Sequence, residues 1–219
     1  NWRLESESAG ELRAVADIGS HLIDQISFVS GLEVVEVMAE LHTLVKTRQK
    51  PTGPVQTFTQ DSTSKREAVE MRSDDAAGIL VRYSNGARGT LSISQVTAGR
   101  KNSLNWEIAG SKAALSFDSE TPEVLWIGHR GSANETLFKD PGMLSKLAAP
   151  NAFYPGGHVE GFGETFRGLF EKVYADIESG NRSGLYPTFA DGIRSLLVTD
   201  AIAKSSAESR WVKVEGAKL

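Results

Sequence analysis

Hydrophobic residues recur at helical spacing near the start of the chain. Between residues 17 and 30 they fall three or four positions apart, at Ile18, Leu22, Ile26 and Val29, and Gly31 follows. Side chains at this spacing lie on one face of an α-helix, and glycine is a common helix terminator. The pattern therefore predicts an amphipathic helix over residues 17–30.

An alternation of apolar and polar residues, typical of strands, takes over after this helix. It begins with residues 33–50, and further strand-like runs fill residues 67–118 and 123–139. Short turn sequences separate the runs, notably Asn85-Gly86 and Gly110-Ser111. Because Asn-Gly between two apolar runs is a strong hairpin signal, we expect successive antiparallel hairpins.

Helical spacing returns in the last third of the chain. It runs through residues 162–177, before Gly180, and again through residues 189–202, and the strand-like residues 210–214 follow. Strands grouped together and helices segregated from them are typical of the α+β class. Residues 1–219 are thus predicted to form a single α+β domain, a large, open, mostly antiparallel β-sheet with helices packed on one face. An exposed second face of that size predicts an oligomer.

The composition restricts the classes of function. Of the 219 residues, 40% are hydrophobic and 24% are charged, as expected of a globular protein with a buried core. The net charge of −4, with scattered lysines and arginines, indicates neither nucleic acid nor a membrane surface as a partner. No apolar run approaches the roughly 20 residues of a membrane helix. The chain has no cysteine and no signal-peptide pattern, so thiol chemistry is excluded and a cytoplasmic location is expected.

Three polar residues interrupt the first predicted helix. Asp17 and His21 are four positions apart, and Asp24 is three beyond His21, so all three share a stripe beside the apolar one. A histidine held by a carboxylate can donate or accept a proton near neutral pH. The alternative is structural: Asp17 or Ser20 caps the helix, and His21 and Asp24 are ordinary surface residues.

A second dense stretch, YPGGHVEGFGETF, covers residues 154–166. Gly156 and Gly157 permit backbone conformations that other residues rarely adopt, and His158 follows just before a predicted helix. His158 is therefore a second candidate site residue. The alternative is a flexible turn with a solvated histidine.

The remaining candidates carry less information. The adjacent carboxylates Asp74 and Asp75 could do acid–base chemistry, but a turn before a strand explains them more simply. Asp17, His21 and His158 could form a metal site, although no metal is expected. No glycine-rich dinucleotide fingerprint follows a predicted strand, so the chain itself shows no site for NAD or ATP.

Four stretches of the chain form a recognisable series. They are NWRLESESAGELRAVADIGSHLID, DDAAGILVRYSNGARGTLSISQVTAGRKNSLNWEIAGSKAALSFD, YPGGHVEGFGETFRGLFEKVYADI and PTFADGIRSLLVTDAIAKSSAESRWVKV. In this order they resemble the C-terminal domain of the glucose–fructose oxidoreductase/inositol dehydrogenase (Gfo/Idh/MocA) family. The first stretch resembles the family's Trp-Arg loop leading into Asp-x-Gly-x-His-x-x-Asp. Two departures are the GELRAVA approach to that motif and GHVEG in place of GHPEG.

The resemblance implies a fold, a reaction and a set of site residues. Family members join an N-terminal Rossmann nucleotide-binding domain, here expected upstream of the chain, to a C-terminal domain like that of glyceraldehyde-3-phosphate dehydrogenase. They oxidise or reduce sugars, polyols and related hydroxy compounds with NAD or NADP. Asp17 and His21 match the family's catalytic positions, beside a lysine of the nucleotide domain. Arg3 and His158 are further substrate-binding candidates.

These implications give specific expectations. His21 relays the proton of a substrate hydroxyl, Asp17 binds and orients that hydroxyl, and Asp24 supports the helix. The nucleotide is bound by another domain, and this chain alone binds none. Subunits associate as a homodimer or homotetramer through the open sheet face. The alternative is a non-catalytic ligand-binding or oligomerisation module.

Overall fold

The computed structural model describes residues 10–53 and 65–216, which fall into two units. The described residues before Gly99, with those from Thr188 onward, form the first unit, and Gly99–Pro187 form the second. The elements, in chain order, are a π-helical turn (Val15–Gly19), α1 (Ser20–Ser30), β1 (Val34–His42), β2 (Thr47–Pro51), β3 (Arg66–Glu70), β4 (Ala76–Tyr83), β5 (Arg88–Ser94), β6 (Asn105–Ala109), β7 (Ala113–Asp118), β8 (Val124–His129), β9 (Glu135–Phe138), a 3₁₀ turn (Ala149–Asn151), α2 (Phe162–Ser179), α3 (Phe189–Glu208) and β10 (Val212–Lys213).

The first unit is built on a four-stranded sheet with the order β10-β1-β4-β5. Alternate residues along its strands are buried, and in β4 the buried Ile79 and Val81 stand opposite Ala39 and Val37 of β1. These side chains pack with Ile23 of α1 and with residues of α3 in one hydrophobic core. Full burial of each such valine or isoleucine contributes about 1.5–3 kcal/mol, so this core is the main source of the unit's stability.

The strand predicted over residues 33–50 is divided in two. β1 ends at His42, and β2 pairs with β3 in a separate two-stranded sheet. The cause is Asp75, whose backbone N–H donates to the His42 carbonyl at 2.8 Å and whose Oδ2 accepts the Val45 N–H at 2.6 Å. The chain turns around this buried residue because these bonds replace the β1 ladder.

The second unit carries the meander β6-β7-β8-β9, with antiparallel pairing throughout. The predicted hairpin at Gly110-Ser111 joins β6 to β7, as the Asn85-Gly86 turn joins β4 to β5 in the first unit. The predicted apolar stripe of α2 is present, but Phe162, Phe166 and Phe170 on it are exposed. Antiparallel sheets accompanied by segregated helices confirm the predicted α+β class. None of the described helices is long and apolar enough to cross a membrane.

Helix α3 begins with a reciprocal cap. The N–H and hydroxyl of Thr188 both donate to Asp191 Oδ2, at 2.7 and 2.6 Å. These two bonds, with the guanidinium of Arg194, lower the pKa of Asp191 from 3.8 to about 2. A carboxyl with a lowered folded-state pKa stabilises the fold above its unfolded value of 3.8. That stabilisation is lost as the pH falls through about 2.

We predict that Thr188→Ala lowers the free energy of unfolding by about 1 kcal/mol at pH 7, the usual effect of removing a helix cap. The loss should shrink as the pH falls through about 2, because Asp191 then becomes protonated in the wild-type protein as well. Urea denaturation followed by circular dichroism at several pH values measures both effects. Thr165→Ala is the matched control, because its hydroxyl bonds only the Phe162 carbonyl within α2. Equal stability of the two variants at pH 7 contradicts the prediction.

Candidate active site

A carboxylate from the middle of the chain holds the start of the first helix. Asp74 Oδ1 accepts the backbone N–H of Arg13 at 2.6 Å, and Oδ2 accepts that of Val15 at 2.8 Å. Such N–H groups have no partner within the helix itself. Ser20 instead donates its hydroxyl to the Ala16 carbonyl at 2.8 Å, and no side chain of the helix caps it. The helix start is thus capped by Asp74, and the hydroxyl of Ser20 does not cap it.

Asp75, only 1% exposed, joins three segments of the first unit. Its Oδ1 is paired with Arg13 and, at 2.7 Å, with Arg48, while Oδ2 accepts the Val45 N–H. A buried carboxylate needs such partners, since an unpaired charge in the interior is very costly. Asp74 and Asp75 do precede β4, but both are occupied structurally. The acid–base alternative for this pair has no support in the geometry.

A chain of hydrogen bonds leads from Asp75 to Asp17. The Arg13 guanidinium, bound to Asp75, also donates to Gln95 Oε1, and Gln95 Nε2 donates to Asp17 Oδ2 at 2.9 Å. Burial and the charge of Arg48 lower the pKa of Arg13, while the nearby carboxylates of Asp74 and Asp17 oppose that shift. Arginine stays charged despite such a shift. Asp17 is thereby tied to the interior of the unit.

The residues that the sequence placed on one helical stripe begin in the π-helical turn. There the Ser20 N–H donates to the Val15 carbonyl, five residues back, and only then does α1 continue as an α-helix. Such π turns are rare and are frequent at functional sites. Asp17 is half-buried, whereas His21 is exposed and its ring has no hydrogen-bond partner among the described residues. His21 is accessible to a ligand from solvent.

Asp24, the last residue of the motif, is exposed like His21. It forms no hydrogen bond or ion pair with another described residue. No contact among the described residues supports its expected role in stabilising the helix.

Gly19, between Asp17 and His21, lets the helix lie close to β5. A Cβ atom at this position would stand 2.5 Å from Ile93 Cδ1, and Ile93 is itself in the core. Gln95 follows one residue after the end of β5. The close approach that glycine permits therefore brings Gln95 within hydrogen-bond distance of Asp17.

His158 lies in the second unit, in an anchored loop. Its ring is exposed, and Nδ1 is 3.4 Å from the Gly156 carbonyl. Gly157 has φ 82°, a left-handed conformation that favours glycine. Lys139 donates to the His158 carbonyl at 2.9 Å, so the backbone of this loop is held rather than free.

The anchor of the His158 loop is a half-buried ionic cluster that the sequence did not reveal. Lys139 Nζ lies 2.6 Å from Glu160 Oε1 and 3.5 Å from Glu123 Oε2. Glu160 also accepts the Tyr154 N–H, and its own N–H donates to Glu123, both at 2.5 Å. Burial is the largest single influence on both groups and disfavours their charged forms. The hydrogen bonds and charges of the cluster together outweigh it, so the pKa of Lys139 is raised by Glu160 and Glu123, and the pKa of Glu160 is lowered by Lys139 and by backbone N–H donors.

Two further site predictions concern Arg3 and a metal. Arg3 lies outside the described residues. Among residues 10–53 and 65–216, no group of three or more histidine, aspartate or glutamate side chains could hold a metal ion.

A comparison with known families decides what kind of domain this is. Residues 1–214 match the profile described as "Oxidoreductase family, C-terminal alpha/beta domain", that of Gfo/Idh/MocA proteins. The chain belongs to the Gfo/Idh/MocA family. The resemblance inferred from the four sequence stretches is confirmed.

Relatives of this Gfo/Idh/MocA domain include a levoglucosan dehydrogenase and a structurally similar oxidoreductase domain protein. Levoglucosan dehydrogenase from Pseudarthrobacter phenanthrenivorans is 26% identical over 220 residues, 98% of this chain and 54% of the relative. The crystal structure of an oxidoreductase domain protein from Kribbella flavida has a TM-score of 0.81 at 28% identity, covering 98% of this chain and 54% of that one. The apo form of levoglucosan dehydrogenase has a TM-score of 0.85 at 26% identity, covering 99% and 55%. The chain thus spans about half the length of these relatives.

We predict that Gly19→Ala destabilises this Gfo/Idh/MocA domain by about 1–3 kcal/mol, because the new methyl group must displace Ile93 in a packed core. Gly192→Ala in α3 is the matched control, since a Cβ there meets nothing within 4 Å. That variant should be stabilised by up to about 1 kcal/mol through helix propensity. Thermal and urea denaturation measure both.

A second variant separates the clash from other effects of the methyl group. Ile93→Val removes the Cδ1 atom, so the double variant Gly19→Ala/Ile93→Val should lose less stability than the two single losses added. Strict additivity, or a Gly19→Ala variant as stable as Gly192→Ala, would show that the close approach is not needed.

Proposed function

We propose that this domain is the substrate-binding and oligomerisation half of an NAD(P)-dependent oxidoreductase that acts on a sugar, a polyol or a related hydroxy compound. The observation that carries the proposal is the start of the first helix. There, an aspartate held by the interior and an accessible histidine lie about one turn apart. The relatives support the substrate class, because levoglucosan dehydrogenase has been solved with NADH and levoglucosan and with NADH and L-sorbose.

Oxidation of a hydroxyl to a carbonyl removes a hydride from carbon and a proton from oxygen. The nicotinamide, when bound, accepts the hydride. We assign the proton to His21, whose exposed imidazole can take it up near neutral pH and pass it to solvent. In the reduction of a carbonyl, the same ring returns the proton to oxygen.

We assign binding of the substrate hydroxyl to Asp17. A carboxylate has about four acceptor positions, so Asp17 can accept from Gln95 and from a hydroxyl together. Because the helix start is capped by Asp74, the position of Asp17 is fixed before substrate binds. Such preorganisation reduces the entropy lost on binding. Arg3 and His158 stay predictions as further substrate contacts.

The strand pairing of the described residues differs from that of a Rossmann-type nucleotide site. All strand pairs among them are antiparallel, whereas a dinucleotide site of the Rossmann type needs parallel strands and a glycine-rich turn. We therefore propose that a separate domain binds NAD or NADP and brings the nicotinamide to the substrate. That domain also decides between the two nucleotides.

We predict that His21→Ala lowers kcat by about 10²–10⁴-fold in the enzyme assembled with its nucleotide-binding domain, the usual contribution of a general acid or base. Its melting temperature should be unchanged, because the ring is exposed. Asp17→Asn should raise KM as well as lower kcat, since it removes the anionic acceptor. The assay follows NAD(P)H absorbance with levoglucosan, L-sorbose and inositol as probes.

Asp200→Asn is the control for Asp17→Asn, because Asp200 is an exposed aspartate on α3 and lies outside the motif. His42→Ala, at an exposed position at the end of β1, is the control for His21→Ala. Both controls should keep full activity. Near-normal turnover of His21→Ala would contradict the catalytic role of His21 and favour a non-catalytic binding module.

We also propose that subunits associate through the sheet face of the first unit that is turned away from α1 and α3. Leu80 of β4 lies on this face and is 47% exposed, next to Gly78, Thr90 and Ser92 of the same face. On its other side Leu80 stands opposite Met38 of β1, so two large apolar side chains lie together on this face and can pack against the same face of another subunit. The proposed assembly is a homodimer or homotetramer.

Light scattering at micromolar concentration should give a mass at least twice 23.7 kDa for the chain. Leu80→Lys should dissociate the assembly, because it places a charge in the centre of the contact. Ser84→Lys, in the exposed turn after β4, should leave the mass unchanged. A monomeric wild-type chain rules out this surface.

A further inference from the structure

We propose that Gln95 is a positioning residue of the oxidoreductase. It holds the Asp17 carboxylate in one orientation, because its own amide is oriented by the hydrogen bond that Arg13 donates. The inference rests on the proposed function, in which Asp17 binds the substrate hydroxyl. It adds a residue that the Asp-x-Gly-x-His-x-x-Asp motif does not contain.

The partners of the Gln95 amide determine which way it points. Arginine carries only donors, so Arg13 must face the amide oxygen of Gln95. The amide nitrogen then faces Asp17 Oδ2, at 2.9 Å. If the amide were flipped, its NH₂ group would face the N–H of Arg13, and its oxygen would face the Asp17 carboxylate. Neither pair can form a hydrogen bond. Gln95 therefore always donates to Asp17, and Asp17 always accepts.

Asp75 fixes both Gln95 and the arginine that orients its amide. The Gln95 backbone N–H donates to the Asp75 carbonyl at 2.9 Å, which holds the residue at the end of β5. The Arg13 side chain, 9% exposed, is paired with the Asp75 carboxylate. Because Asp75 holds both Arg13 and the backbone of Gln95, the amide has little freedom to move away from Asp17.

A neutral amide in this place has a different effect from a charged side chain. A direct ion pair between Arg13 and Asp17 would commit the carboxylate to the guanidinium and weaken its attraction for a substrate hydroxyl. Gln95 separates the two charges and still fixes the carboxylate. Glutamine therefore suits a positioned acceptor better than lysine, arginine or glutamate would.

Two variants of nearly the same size test this role. Gln95→Glu keeps an acceptor for Arg13 but replaces the donor to Asp17 with a like charge, and Gln95→Met removes both hydrogen bonds. In the enzyme assembled with its nucleotide-binding domain, each should lower kcat/KM by about 10- to 100-fold, the usual effect of losing a hydrogen bond to a charged group. The loss should be larger for Gln95→Glu. Gln49→Met, at an exposed position on β2, is the control and should be fully active.

A double-variant cycle separates positioning from a structural role. If Gln95 acts through Asp17, then Gln95→Met should cost little further activity in an Asp17→Asn background, because the carboxylate it orients is absent. Equal losses in the two backgrounds, or no loss in either, overturn the inference.

A spectroscopic measurement on the chain alone keeps the inference separate from the proposed function. If Asp17→Asn retains full turnover, the proposed function fails, and the cycle contains no Asp17-dependent loss of activity against which Gln95 can be judged. The ¹³C resonance of the Asp17 side-chain carboxyl then decides about Gln95. It should shift and broaden in Gln95→Met and stay unchanged in Gln49→Met. An unchanged resonance in Gln95→Met overturns the inference whatever the enzyme does.

Discussion

The pairing of Asp75 with Arg13 and Arg48 is the interaction on which the first unit depends. A buried carboxylate without partners would cost several kcal/mol, so the segments that supply those partners must converge on it. Arg13 comes from the approach to the first helix, Arg48 from β2, and the Val45 N–H from the turn between β1 and β2. This one requirement ends β1, directs β2 away from the main sheet and fixes the start of the helix.

The neighbouring Asp74 performs a separate task at the same place. Its two oxygens satisfy two backbone donors of the helix start, so the helix needs no cap from its own sequence. Gly19 completes the arrangement, because the helix can approach β5 closely enough for Gln95 to reach Asp17. Strand, cap and glycine thus position a single carboxylate.

Local signals in the sequence were sufficient for most of the fold. The turns at Asn85-Gly86 and Gly110-Ser111 depend on adjacent residues, and so does the apolar spacing of α1. The division of residues 33–50 into two strands could not be predicted, since its cause, Asp75, lies about thirty positions away. The π-helical turn was also missed, because an apolar period near four does not distinguish it from an α-helix. Asp17 and His21 were singled out by their spacing and by the resemblance to the family motif, and their roles stay predictions. Gln95 and Lys139 belong to no motif, so the sequence did not indicate them.

His21 and His158 both have an exposed ring on a backbone segment that is held by hydrogen bonds. The segments are held in different ways. Around His21 the backbone is held by a helix whose start is capped by Asp74. Around His158 it is held by the amino group of Lys139 and the carboxylate of Glu160, with Gly157 supplying a conformation that a side chain would oppose. In both segments the polar partners bond the backbone and not the histidine ring. The imidazole is therefore not needed to hold the segment in place. A side chain that is not needed in this way can change its protonation or its contacts without destabilising the fold, as a residue that exchanges protons with a substrate must.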